Sequence, residues 1–146
     1  MDIVITLPED LWNEICAGNK EYECRKRIPR NFFRDTDKCF VIIKGTTNVV
    51  GWFNIRRFLS CVYVDEIKEK YLNKLSISKE WFDKYSKRED VLHLWEIDSV
   101  VYLFSMPQNR DSFLGLDFNP QSYAYCHPKY TEHQRVFKRR RAFKED

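Results

Sequence analysis

The sequence predicts an α+β fold: a small β-barrel, closed or nearly closed, with flanking short helices. Short apolar runs recur along the chain, separated by turn-forming residues. Two small regions with helical rather than alternating spacing interrupt them. Aromatic residues make up 16% of the chain, enough to fill a compact β core with rings. The same rings offer stacking surfaces for nucleobases.

Taken in order, residues 3–7 (Ile-Val-Ile-Thr-Leu) form a short apolar strand. Pro8, Glu9 and Asp10 suit the first turn of a helix, where a fixed φ and negative charge are both favoured. Leu11, Trp12, Ile15 and Cys16 give that helix an apolar stripe, and Gly18 stops it. A strand follows. Counted from Lys20, alternation places Lys20, Tyr22, Cys24 and Lys26 on one face and Glu21, Glu23, Arg25 and Arg27 on the other. A face that repeats Glu-x-Arg is either solvated or lines a polar cleft in which carboxylate and guanidinium hold each other.

Residues 30–38 are polar and turn-like. Residues 39–43 (Cys-Phe-Val-Ile-Ile) read as a buried strand, 44–48 as a turn, and 49–55 as the return strand. Gly51 within it signals a bulge or the close approach of another backbone. Trp52 is expected in the core or in a cleft wall. Residues 62–74 run from a strand end into a helix, with Ile67, Tyr71 and Leu75 at helical spacing. A second helix spans 76–85, with Ser78 as N-cap and Trp81, Phe82 and Tyr85 on its buried face. These two helices read as a solvated insert without chemistry. Residues 91–97 alternate, a turn is expected at Asp98, and a second strand at 99–104. His93 has no ligand set around it in sequence and reads as a hydrogen-bonded structural histidine. Residues 105–119 read as a loop, and 120–125 as a further turn.

A chain of 146 residues is most simply one domain. The division expected is a domain over residues 1–128 and a basic C-terminal tail over 129–146. With 43% hydrophobic residues, wholesale disorder is excluded. Net charge is only +3, but it is unevenly spread. Residues 20–34 hold six Lys/Arg against two Glu, and residues 135–144 hold six more with no acid. Local excess of this kind points to polyanionic partners.

Five cysteines at 16, 24, 39, 61 and 126 form no CxxC pair, which suits neither a zinc site nor a disulfide framework. No metal and no cofactor are expected. The acids and Pro8 within the first fifteen residues do not make a signal peptide, and no run has the length of a membrane span. The expectation is a soluble, cytoplasmic or otherwise intracellular protein.

The stretch Gly18-Asn19-Lys20-Glu21-Tyr22-Glu23-Cys24-Arg25-Lys26 resembles the G-x-K-x-x-E-x-R signature of ASCH domains, members of the PUA-like superfamily. The preceding helix, the buried strand, the Val-Val-Gly-Trp-Phe return strand, the helix at 77–85 and the late Pro-Gln-Ser-Tyr turn fit the same pattern. The resemblance covers roughly residues 3–125 and places the motif on Gly18, Lys20, Glu23 and Arg25. It implies a PUA-like barrel that binds RNA, or single-stranded or modified nucleic acid, in a cleft beside the sheet. In such a cleft Lys20 offers a point charge to phosphate, and Arg25 makes forked contacts to phosphate or a base edge. Glu23 accepts from an exocyclic amine or orients Arg25. Lys26, Trp52, Gln121, Ser122 and Tyr123 complete the expected nucleic-acid-binding set.

Some ASCH-like proteins are amidohydrolases acting on N4-acetylcytidine, with a threonine three residues after the central lysine. Here Glu23 stands at that place, so the hydroxyl nucleophile is missing, and a carboxylate beside Lys20 favours its protonated form. A metal-independent ribonuclease would draw on the same Lys20 and Glu23 as its catalytic pair. A third reading is a protein-interaction domain in a regulatory complex.

Overall fold

The structure, a computed structural model, describes residues 1–142. Lys144 and Glu145, at the end of the basic run, lie outside the described residues. The fold is α+β: one mixed sheet curls into a half-barrel, and four short helices flank it. Strand β1 (Ile3–Leu7) leads into α1 (Glu9–Ala17), followed by β2 (Tyr22–Arg25), β3 (Cys39–Ile43) and β4 (Asn48–Tyr63). Helices α2 (Val64–Lys70) and α3 (Lys79–Ser86) come next, joined through a single 3₁₀ turn at Leu72–Lys74. The chain continues as β5 (Val91–Asn109), α4 (Arg110–Leu114), β6 (Ala124–Tyr125) and β7 (Val136–Arg140).

The strands run in the order β2-β5-β4-β3-β1-β6, and β7 pairs with the second half of β5. β1 and β3 are parallel, Ile3 opposite Cys39 through Leu7 opposite Ile43. Both are near-continuous apolar runs because they are buried on both faces. Ile3, Ile5, Trp12, Ile15, Phe53 and Trp95 belong to one core, which takes in the apolar stripe of α1. Val4, Phe40, Trp52 and Phe104, from the alternate positions of the same strands, form a second with Phe113 of α4. Tyr22, Ile67, Leu75, Phe82, Leu92 and Leu94 make a third, which joins the helical insert to β2 and β5.

The structure corrects three expectations. No turn interrupts the chain at Asp98: β5 runs through it as one 19-residue strand. The irregularity that sequence suggests there is absorbed by register shifts against β4 on both sides of Ile55, while Asp98 accepts the Ser99 N–H through its own carboxylate. Nor is 105–119 a plain loop, since β5 extends to Asn109 and α4 follows. Asn109 caps that helix by accepting from the N–H groups of Asp111 and Ser112. Last, part of the basic C-terminal segment is a strand of the sheet, with Val100 opposite Arg140 and Phe104 opposite Val136. All of β7 is exposed, so backbone pairing rather than burial holds it, and its Lys and Arg side chains guard an open edge.

Two glycines carry the architecture. At Gly51 an added Cβ would lie 2.1 Å from the Tyr102 carbonyl oxygen, the backbone approach that its place in a strand suggested. Gly18 ends α1 at φ 90°, and a Cβ there would stand 2.3 Å from the carbonyl oxygen of Ala142, just beyond β7. Gly45 also has positive φ (80°) but faces open space. Gly45→Ala is therefore expected to cost about 1 kcal/mol, the left-handed penalty alone. Gly18→Ala adds a backbone collision and is expected to cost about 3 kcal/mol or more. Paired urea titrations check this, and equal losses would show that the Ala142 contact constrains nothing.

Candidate functional site

Once Gly18 has turned the chain, the N–H groups of Asn19 and Lys20 both donate to the Glu14 carbonyl at the end of α1. Glu21 then donates to the Lys74 carbonyl and accepts from Ile97, which ties this turn to the insert and to β5. On its far side the Lys20 carbonyl accepts from the guanidinium of Arg141, whose own N–H donates to Ser99. The signature loop is thus held from three directions before its side chains are considered.

Lys20 is 2% exposed. Its ammonium donates to the Leu75 carbonyl at 2.7 Å and lies 3.6 Å from Glu23 Oε2. The two-face alternation expected from Lys20 onward fails here, because regular strand begins only at Tyr22 and Lys20 belongs to the turn. All four residues of β2 are buried, on both faces. Burial lowers the pKa of Lys20 below its ordinary value, with the Glu23 carboxylate opposing that shift.

Glu23 Oε1 accepts from Arg25 Nε at 3.1 Å, while Arg25 Nη1 donates to the Ser122 carbonyl at 2.8 Å. The guanidinium also lies over the Trp95 ring, 5.9 Å from its centroid. β2 and β6 are the two ends of the sheet order, so Arg25 bridges from one open edge to the segment leading into the other. Ser122 takes part through its backbone carbonyl.

Glu23 and Arg25 line a cleft of about 860 Å³, within the size range of small-molecule sites. Thr6, Leu11 and Lys44 come from the β1–α1 side and the turn after β3, and Asn119 to Gln121 from the segment before β6. The remaining wall is Ser76, Ile77, Ser78, Trp81 and Tyr85 of the insert. The insert is therefore part of the site, against the expectation of a region without chemistry. Ser78 does cap α3, accepting from the Trp81 N–H, and Phe82 is fully buried. Trp81 is instead 53% exposed, its ring stacked on Tyr85 at 5.1 Å and 27°. Burial pushes the Tyr85 phenol up to about 12, so it remains a neutral hydroxyl.

This fold recurs in solved structures. A crystal structure of ASCH from Zymomonas mobilis superposes with a TM-score of 0.69 at 17% identity, covering 85% of this chain and 86% of that one. Crystal structures of two mutant forms of the Zymomonas mobilis protein superpose at 0.71 and 0.70, with 16% and 18% identity and the same 85% of this chain covered. The chain has the ASCH fold. Neither a protein-family profile nor a curated protein sequence matches it.

Within this ASCH fold the expected site residues separate into four groups. Glu23, Arg25 and Gln121 line the cleft, and Lys20 lies beneath it as a buried support. Ser122 sits at the Arg25 bridge. Lys26 and Tyr123 line a different hollow, together with Arg27, Arg30 and His93. Lys26 is 3.7 Å from Glu89 and lies over the Tyr85 ring, while Tyr123 packs edge-on against Trp95. Trp52 lies in neither: it is buried in the second core, stacked on Tyr102 at 4.8 Å. Its alternation partners explain this, since that face of β4 turns toward Phe40 and Phe104. His93 is hydrogen-bonded as expected, accepting from the Cys61 N–H at 3.1 Å. Among the described residues no cluster of His, Cys, Asp and Glu could hold a metal ion, and no helix is long and apolar enough to cross a membrane.

A pH dependence follows from Lys20. Its folded pKa lies below the ordinary 10.5, so between those two values the unfolded chain binds more protons than the folded one. The contribution of Lys20 to stability is therefore smallest below its folded pKa and rises with pH across that window. The stability of the native protein relative to Lys20→Met is expected to improve as pH is raised from neutrality toward 10.5, read from urea titrations of both proteins. A difference that declines with pH would mean that the Glu23 ion pair outweighs burial.

Proposed function

We propose that this ASCH-fold chain binds RNA or another single-stranded nucleic acid by admitting one nucleobase, modified or not, into the cleft. The observation that carries this reading is a pair of buried polar atoms. Thr6 Oγ1 has no hydrogen-bond partner among the described residues, and Glu23 Oε2 has none either, only the Lys20 ammonium at ion-pair distance, 3.6 Å; both residues line the cleft. A buried polar group without a partner costs about 1–3 kcal/mol, so such groups at a cleft are suited to a ligand that satisfies them. Glu23 accepts from an exocyclic amine of a base, and the Thr6 hydroxyl either donates or accepts. The half-exposed Trp81, backed by Tyr85, supplies a ring on which a base stacks.

Charge supports a base rather than a phosphate as the group admitted. Arg25 and Lys44 are offset in the cleft lining by Asp10 and Glu23. Lys20 does not reach the cleft surface, so its role in this reading is to hold Glu23 rather than to meet phosphate. The lowered pKa of Lys20 is the feature that favours the alternative reading, a small hydrolase built on Lys20 and Glu23. Against it, the ammonium is buried and donates to the Leu75 carbonyl. Binding without turnover accounts for more of the geometry.

Because Lys20 and Arg25 hold the fold together, replacing them tests stability as much as binding. Trp81 and Gln121 are exposed and serve better. The four ribonucleoside monophosphates and the N4-acetylated cytidine form are titrated against the native protein, Trp81→Ala and Gln121→Ala, with product analysis of the same samples. Trp81→Ala is expected to weaken binding by about 1–3 kcal/mol, roughly five- to 150-fold, with unfolding unchanged. Mononucleotide affinity indifferent to both substitutions would remove the cleft from the reading. Released acetate would make the protein a hydrolase.

A further inference from the structure

The second hollow, of about 640 Å³, differs from the cleft in charge. Lys26, Arg27 and Arg30 line it, all three exposed, with His93 and the rings of Tyr123 and Tyr125; no Asp or Glu belongs to its lining. Among the described residues Arg27 and Arg30 form no ion pair and no side-chain hydrogen bond, in contrast to Arg25, Arg56, Arg57 and Arg110, which do. Burial raises the Tyr123 pKa above its ordinary value, and the charges of Arg27 and Arg30 oppose that shift.

Position adds to composition. Arg25 and Gln121 line the cleft, while their near neighbours Lys26 and Tyr123 line the hollow. The two depressions therefore flank the Arg25–Ser122 hydrogen bond. A chain whose base enters one would pass its neighbouring phosphates along the other.

We infer that this hollow is a track for the sugar-phosphate backbone of a single-stranded nucleic acid whose base occupies the cleft, with Arg27 and Arg30 meeting successive phosphates and Tyr123 offering a ring to a flanking base. The inference rests on the proposed nucleobase reading of the cleft and adds the path of the polymer's backbone and the residues that meet it. Concavity and partly exposed rings fit a strand better than a flat anionic surface, and paired cations with aromatic neighbours are the usual equipment for single strands. Free guanidinium groups bind phosphate in a forked geometry, and it is the flanking rings that favour a nucleic acid over a carboxylate-bearing partner.

The test uses fluorescence anisotropy with mixed-sequence single-stranded RNAs of one, about four and about eight nucleotides, against the native protein and Arg27→Ala/Arg30→Ala. Affinity of the native protein is expected to climb with length. The double variant is expected to bind the longest RNA about tenfold more weakly and to lose about 1.4 from the slope of log affinity against log salt, while binding the mononucleotide as before. Length dependence and salt slope unchanged in the variant would overturn the track. So would an acidic peptide of equal charge that displaces the longest RNA as well as unlabelled RNA does. Long RNA that still depends on Arg27 and Arg30, with no mononucleotide bound, would support the track and remove the cleft reading instead.

Discussion

The Glu23 carboxylate sits between two buried cations, and much of the molecule is arranged around that fact. Lys20 and Arg25 approach it from opposite sides at 3.6 and 3.1 Å, and all three side chains are more than nine-tenths buried. Removing one partner from such a set leaves an uncompensated charge and typically costs about 3–5 kcal/mol, whereas apolar replacements of similar volume are often tolerated. Stability alone therefore does not require charges here. What they supply is position: each cation also donates a hydrogen bond to a backbone carbonyl that belongs to a different part of the fold. Lys20 holds Leu75, at the start of the cleft wall formed by the insert, and Arg25 holds Ser122, beside the segment that forms the opposite wall. One carboxylate thus fixes the distance between the two sides of the cleft.

That centre is braced from behind. The Lys20 carbonyl accepts from Arg141, and the backbone of Ala142 passes so close to Gly18 that no side chain fits. Burial lowers Arg141 to about 10, still well above neutral pH, so it acts there as a cation. A glycine at position 18 has two physical causes in this chain, a left-handed φ and a backbone collision that any side chain would meet. The second comes from residues more than a hundred positions away. The basic C-terminal run therefore divides in function: Arg141 braces the signature loop, while Lys138, Arg139 and Arg140 remain on the surface of an edge strand.

Local chemistry that sequence displays directly was legible. The five-residue run at Cys39–Ile43 is buried throughout, Gly18 ends its helix, Ser78 caps its own, and Gly51 meets a neighbouring backbone. The Glu23–Arg25 pairing followed from a two-residue spacing in a strand. Features that depend on the global path were not legible. Helical period marks Trp81 as apolar and on the inner face of α3, but cannot tell a core from a cleft, and the ring proves to be half-exposed. Alternation was counted one turn too early at Lys20, which reversed its relation to Glu23. The antiparallel pair of β4 and β5 bends through register shifts, and no Gly or Pro near Asp98 announces them. Trp52 was ambiguous for the same reason as Trp81, and its neighbours on β5 and α4 decided it for the core.

The separation of charge on either side of the Arg25 bridge has a consequence for selectivity. In the cleft, cations and carboxylates are balanced, so under the proposed reading a base would be held by hydrogen bonds to Glu23 and Thr6 and by stacking, terms that distinguish one base edge from another. Selectivity of this kind is strongest when a wrong ligand leaves a buried group unpaired. In the hollow, charge is unbalanced and exposed, which favours any phosphodiester backbone and is screened by salt. A reader built this way divides its work between the two sides of a single hydrogen bond. In the proposed reading, affinity for a polymer would come from Arg27 and Arg30, and discrimination from cleft groups that phosphate would not touch. The same division would reconcile a modest net charge of +3 with the proposed polyanionic partner: the excess is local, and the hollow's lining holds no Asp or Glu, although Lys26 pairs with Glu89 beside it.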